Sequence, residues 1–298
     1  MKSYEELVVG CVEYMQEKNL SQVKFASKIG IGESTFSRWI KGTYPNGENI
    51  QKKVQDFFDK EKARSEIRTA SDLCFSETNV SDRVWQVLEY CRLQRTIGVI
   101  YGDAGIGKTF TMRMWQRDKS DVIVVTACPA FSSPKPFLKL LSRELKTALI
   151  GGVDDIFIDI LDKLEGSDKT IVIDEAQHLS RKTLELVRGI NDITGAAIIL
   201  IGNEIVYSKM VGKQQAEFAQ LFSRLGMRNH VMTDMFTRDD VEGIFESAKD
   251  DETDYLLKIC RSKYSLRGAV HVYTNSQNNK DVSVKGLKAM SAVMGISV

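Results

Sequence analysis

The eight residues Gly102-Asp103-Ala104-Gly105-Ile106-Gly107-Lys108-Thr109 constrain this chain more than any other segment, because the apolar run Ile97-Gly98-Val99-Ile100-Tyr101 leads straight into them. A buried strand, a glycine-rich turn and a helix in that order form a phosphate-binding loop. The three glycines permit a tight turn whose backbone N–H groups converge on phosphate oxygens, and a helix starting near Gly107 adds its positive end at the same point. The pattern predicts a nucleoside triphosphate site. Lys108 is placed to reach the β- and γ-phosphates and the Thr109 hydroxyl to take a position on Mg²⁺, while Phe110 closes the stretch expected to contact the nucleotide.

A second run, Thr170-Ile171-Val172-Ile173-Asp174-Glu175, reads as a buried strand ending in two carboxylates. Beside a phosphate loop, Asp174 is expected to hold the metal through water. Glu175 then faces the γ-phosphate and orients the attacking water, a role worth roughly 10²–10⁴ in rate if it acts as a base.

Between these elements lies a further apolar run, Asp121-Val122-Ile123-Val124-Val125-Thr126, followed by a Pro-containing turn and two helical stretches, which predicts an added strand separating the two nucleotide-binding strands. Downstream, Ala196-Ala197-Ile198-Ile199-Leu200-Ile201-Gly202-Asn203 predicts a fourth strand with a polar end, and Arg228-Asn229-His230-Val231-Met232 a short fifth. The arrangement resembles the NTPases in which an added strand separates the two nucleotide-binding strands, and among them the AAA+ ATPases. That resemblance implies a sensor-1 role for Asn203, on the γ-phosphate or the water. It implies an arginine finger in Leu221-Phe222-Ser223-Arg224-Leu225, with Arg224 serving a neighbouring subunit and Arg228 as the other candidate. It also implies a sensor-2 role for Arg267 in the helix that begins Ser265-Leu266-Arg267-Gly268-Ala269.

Residues 20–42 read as helix, short glycine turn, helix. Ser21 can cap the first helix, Ala26 is small enough to let the second cross closely, and Ile31 and Trp39 are expected to fill the core below. Ser34, Thr35, Ser37, Arg38 and Lys41 then face outward, as a recognition helix in a major groove requires. The pattern resembles the repressor-type helix-turn-helix, although small helical domains of this kind also bind protein.

The net charge is only +1, but charge is segregated, since from Tyr255 to the end seven Lys and Arg residues stand against Asp281 alone. Such a balance suits phosphate neutralisation or a solvated helical bundle. Five cysteines without a Cys-x-x-Cys spacing and three scattered histidines predict reduced thiols and no His cluster for a metal. The polar start and the lack of a long apolar run predict a protein of the bacterial cytoplasm with no membrane partner.

The predicted organisation is a helix-turn-helix domain at 1–67, a polar linker at 68–80, an ATPase core at 81–233 and a basic helical lid at 234–298. Together with Val206-Tyr207-Ser208-Lys209-Met210 and Glu217-Phe218-Ala219-Gln220-Leu221-Phe222-Ser223-Arg224, this layout resembles the phage Mu transposition protein B family along nearly the whole chain. The resemblance implies an α/β AAA+ core with a parallel sheet in the order 5-1-4-3-2, an all-α domain before it and a small helical lid after it. It implies ATP and Mg²⁺ as cofactors, and double-stranded DNA, a transposase and further copies of the chain in a helical filament as partners. The activity implied is ATP-dependent, largely sequence-independent DNA binding that delivers target DNA for transposition. The segment 151–169, where basic DNA contacts are expected, carries Asp154, Asp155, Asp159 and Asp162 against Lys163 and Lys169. Lys135, Arg181, Lys182, Lys209 and Lys213 are the alternative DNA contacts. An ATP-gated transcription regulator and a helicase-loader or secretion-type ATPase remain as other readings of the same motifs.

Overall fold

The computed structural model describes the chain except residues 1, 2, 46, 68, 70–72, 149 and 212–224, and it divides into two compact units, Met1–Arg68 and Thr69–Val298. In the first unit the described helices are α1 (Tyr4–Glu17), α2 (Gln22–Lys28), α3 (Glu33–Ile40) and α4 (Glu48–Glu66). The Ser21 hydroxyl accepts the Lys24 N–H at 3.3 Å and starts α2. Phe36 and Trp39, three apart on α3, turn one face inward. Ile31 does not share that core equally with Trp39. It lies in the turn before the helix and is only half-buried, so Phe25 and Phe36 fill the volume, with ring centroids 5.4 Å apart. Ser34, Arg38 and Lys41 are exposed, whereas Thr35 and Ser37 are half-buried.

The second unit opens with α5 (Asn79–Gln94), begun by a reciprocal cap in which the Thr78 hydroxyl accepts the Ser81 N–H at 3.0 Å and the Ser81 hydroxyl accepts the Thr78 N–H at 2.7 Å. Val80, Val84, Val87, Leu88 and Cys91 recur at helical spacing on its buried face. A five-stranded sheet follows, built from β1 (Ile97–Gly102), β2 (Val122–Thr126), β3 (Thr170–Asp174), β4 (Ala197–Gly202) and β5 (Leu225–Val231). Its order is β2-β3-β4-β1-β5, all pairings parallel, which from the other edge reads 5-1-4-3-2. The strand separating β1 from β3 is therefore β4, and the Val122–Thr126 run forms an edge.

Every residue of β1, β3 and β4 is buried, the signature of a parallel sheet covered on both faces. Strand alternation sends Ile97, Val99 and Tyr101 into a core with α7 (Pro134–Leu145), α8 (Val153–Leu164) and α9 (Arg181–Thr194). Ile100 joins the opposite core, with α5 and α6 (Lys108–Gln116). After α10 (Glu204–Val211), the C-terminal helices are α11 (Arg238–Ile244), α12 (Asp250–Cys260), α13 (Ser265–Asn278) and α14 (Val284–Val293). Their Val241, Leu256, Ile259, Ala269 and Leu287 share a core with Val84, Leu88 and Ile106. At about 1.5–3 kcal/mol for each such buried side chain, this packing anchors the helices on the sheet face that carries the phosphate loop. Among the described residues no helix is long and apolar enough to cross a membrane.

Candidate functional site

A cleft of about 530 Å³ opens at the carboxyl ends of β1, β3 and β4, where open parallel sheets bind their ligands. The loop from β1 to α6 forms its floor. Gly105 and Gly107 lie at φ +80° and +101°, and at Gly102, φ +139°, a Cβ would stand 1.8 Å from the Val231 carbonyl oxygen. Only glycine fits that approach. The far side of the loop is tied down, since the Asp103 N–H donates to the Val231 carbonyl at 3.1 Å and the Asp103 carboxylate accepts the Thr233 N–H at 2.9 Å. Gly107 offers α6 no side-chain cap, and the first N–H groups of a helix have no partner within the helix, so this turn suits an anion.

Lys108 occupies the position expected to reach phosphate, and its ammonium donates to the Gly102 and Asp103 carbonyl oxygens at 3.0 and 2.6 Å. Burial pulls its pKa below the usual lysine range, against the raising effect of Asp103, Glu175 and Asp174. An anion in the cleft therefore meets a partly desolvated cation held by neutral carbonyls.

Thr109 and Asp174 come together from α6 and β3. The Thr109 hydroxyl donates to Asp174 Oδ2 at 2.9 Å, and Asp174 Oδ1 accepts the Glu175 N–H at 3.0 Å. Asp174 is 3% exposed, and burial raises its pKa although both hydrogen bonds oppose the shift. A hydroxyl beside a carboxylate at the mouth of a phosphate loop is an all-oxygen donor set, which fits Mg²⁺. Glu175 is exposed in the cleft at φ +55°, a strained conformation that persists where the surrounding structure enforces it. Asn203 lines the same cleft, and its side-chain oxygen accepts the Ile205 N–H at 2.9 Å, leaving the amide nitrogen as its donor. Arg267 lines the opposite wall, where its backbone N–H donates to the Gly105 carbonyl at 3.0 Å.

The structure thus gathers Ala104, Gly105, Ile106, Gly107, Lys108, Thr109, Phe110, Asp174, Glu175, Asn203 and Arg267 into one site. Arg224 and Lys213 lie outside the described residues. Arg228 stands on β5 and donates to the Tyr207 hydroxyl at 2.6 Å, and it is not among the cleft residues. Lys135, Arg181 and Lys182 are exposed at the starts of α7 and α9, which the Thr183 hydroxyl joins by donating to the Ser132 carbonyl at 2.7 Å. Lys209 differs from its reading as a DNA contact. Its ammonium donates to the carbonyl oxygens of Gln177 and Leu179, the latter at 3.0 Å, because α10 packs across the turn after β3.

Sequence reasoning missed the wall above the phosphate loop. Leu73 and Phe75, from the segment read as linker, line the cleft with Ile244, Val270 and His271. Phe75 packs on Phe110 and Trp85 with ring centroids 5.9 and 5.3 Å away. An apolar, aromatic wall suits a planar base. Two aromatic-aliphatic positions inside an otherwise polar segment were the available signal.

The sequence of this chain matches the model of an AAA domain over residues 91–210 and a helix-turn-helix model over residues 13–52. It is 30% identical over 226 residues to ATP-dependent target DNA activator B of Escherichia phage Mu, covering 72% of this chain and 69% of that one. It is 29% identical over 265 residues to the protein of the same name from Escherichia phage D108, covering 85% and 81%. Mu-like prophage FluMu DNA transposition protein B of Haemophilus influenzae is 23% identical over 276 residues, covering 89% and 92%.

Proposed function

The chain belongs to the family of the ATP-dependent target DNA activator B proteins, and from that premise we propose that it is an ATPase that assembles on duplex DNA and delivers it to a transposase. The observation that carries the reading is one cleft holding a phosphate loop, the Thr109–Asp174 pair, Glu175, Asn203 and Arg267. The triphosphate exchanges the Gly102 and Asp103 carbonyls for phosphate oxygens on Lys108, with the loop N–H groups as further donors. Thr109, and Asp174 through water, would hold Mg²⁺, which would supply neutralisation of phosphate charge when bound. The Glu175 carboxylate accepts a hydrogen bond from the attacking water and aims its oxygen at the γ-phosphorus. Asn203 donates from its amide nitrogen to the γ-phosphate or that water, and Arg267 offsets charge on the phosphate it faces. Arg224 supplies a second arginine to the nucleotide of a neighbouring copy, so ATP links protomers along the DNA.

Exposed Lys135, Arg181 and Lys182 hold phosphates of the duplex, and α3 of the first unit with its C-cap Lys41 supplies Ser34, Thr35, Ser37, Arg38 and Lys41 as a second set. Electron microscopy of the protein on long random duplex tests the reading. Continuous protein-coated DNA with ATP, and bare DNA with ADP, is the expected result. Equal coating with both nucleotides, or binding confined to one short sequence, removes the target-delivery reading and favours an ATP-gated regulator.

A further inference from the structure

Gln177 stands two residues after Glu175, in the short 3₁₀ turn Ala176–His178, and makes contacts in both directions. Its side-chain nitrogen donates to Glu175 Oε2, and its side-chain oxygen accepts the Asn203 N–H at 3.3 Å. One carboxamide therefore bridges the carboxylate assigned to the water and the backbone of the residue assigned to the γ-phosphate. The carboxamide supplies both the donor and the acceptor, whereas a carboxylate has no donor and an alkyl group neither donor nor acceptor.

The surroundings hold that bridge from two sides. The Lys209 ammonium donates to the Gln177 backbone carbonyl and to that of Leu179, clamping the turn from α10. Gly202 leaves room for the side chain, because a Cβ there would stand 2.4 Å from Gln177 Oε1 and 2.3 Å from a Val206 methyl. The Glu175 backbone is itself at φ +55°, so its side chain leaves the strand end in a direction that β3 alone does not set.

We infer that Gln177 is the positioning residue of the hydrolytic site, holding the Glu175 carboxylate in register with the end of β4 so that water and γ-phosphate are addressed together. The inference rests on the ATPase reading of this cleft and adds a residue to it. Gln177 acts through Glu175 and Asn203, so its loss lowers turnover while leaving nucleotide affinity in place.

The test uses the full chain with Mg²⁺ and ATP, measuring kcat, KM and the affinity for a fluorescent non-hydrolysable ATP analogue. Gln177→Leu removes both contacts. Gln177→Glu is isosteric, keeps an acceptor for the Asn203 N–H and replaces the donor to Glu175 by a carboxylate that repels it, so it carries the test alone if the leucine variant is unstable. Both are expected to lower kcat about 10- to 100-fold, the usual penalty for a displaced reacting group, with KM and analogue affinity within about twofold of the parent. Gly202→Ala, which crowds the same carboxamide, is expected to lower kcat in the same direction. Parent-level kcat in Gln177→Glu, or a loss of affinity as large as the loss of kcat, overturns the inference. If the parent itself binds the analogue but does not hydrolyse ATP, the ATPase reading fails instead, and the two failures are told apart by that control.

Discussion

The Thr109 hydroxyl donates to the Asp174 carboxylate at 2.9 Å across 65 residues of chain, joining the start of α6 to the end of β3. That contact sits where burial raises the Asp174 pKa above its ordinary 3.8. For such a group the stabilising contribution is complete below the unfolded value and is lost as pH rises through the raised native one. At neutral pH the ionised carboxylate is therefore a cost to the nucleotide-free fold.

Asp174→Asn is expected to raise the Tm of nucleotide-free protein at pH 7.5, with the gap to the parent narrowing toward acid, while ATP hydrolysis is lost. The amide keeps an acceptor for the Glu175 N–H and can donate to Thr109, so the geometry survives. Thermal melts at about pH 5 and pH 7.5 check the sign, and a variant less stable than the parent at both would contradict it.

Lys108→Ala and Glu175→Gln should separate binding from turnover. Removing the ammonium deletes charge-assisted hydrogen bonds worth about 1.5–3 kcal/mol, a roughly 10- to 150-fold weaker Kd for ATP. Glu175→Gln should bind ATP like the parent and hydrolyse it about 10²–10⁴ times more slowly. Calorimetric titration beside a phosphate-release assay resolves the two effects.

Thiol chemistry offers a probe of the same cleft. Burial pushes the Cys11, Cys91 and Cys260 thiols up to about 12, whereas Cys74 is exposed and lines the cleft beside Phe75. At pH 8 a thiol of that pKa is about 10⁻⁴ thiolate, so alkylation is expected at Cys74 well before the three buried residues. ATP should slow labelling of Cys74 specifically. Mass spectrometry of time-resolved alkylation reads this out, and equal rates with and without ATP would place the nucleotide elsewhere.

Phe36 packs between Phe25 and Trp39 with no solvent exposure, so Phe36→Ala should cost the first unit about 3–5 kcal/mol. Scanning calorimetry should show one transition moving down in temperature. The expected companion result is unchanged affinity for ATP, because every cleft residue belongs to the second unit.

Salt dependence distinguishes the two sets of basic side chains. If Lys135 and Lys182 touch phosphates, each alanine variant should lower the slope of log affinity against log salt by about 0.9 on any random duplex. Arg38→Ala in a base-reading α3 should instead weaken one preferred sequence by roughly 1–3 kcal/mol and leave random DNA little changed. Titrations of the ATP-bound protein at several salt concentrations decide which pattern holds.

The phosphate loop was legible because Gly102 to Thr109 are contiguous, and their turn follows from glycine at positive φ and a helix start, both local properties. The strands were legible for a related reason: burial on both faces leaves continuous apolar runs such as Thr170–Asp174. The strand order came from resemblance to a known architecture, since no local pattern says that β4 lies between β1 and β3. Polar partnerships were beyond local reading altogether. Lys209 looked like any basic side chain, and only packing carried its ammonium to carbonyls some 30 residues back. Gln177 gave no sign of reaching Asn203, 26 residues on, and Leu73 and Phe75 lay inside a segment whose composition read as linker. A hydrogen bond or a cleft wall is set by which groups the folded backbone brings within about 3 Å, and that proximity has no period in the chain for a sequence to display. The chemistry at this site was therefore written locally, and its alignment was decided by the sheet.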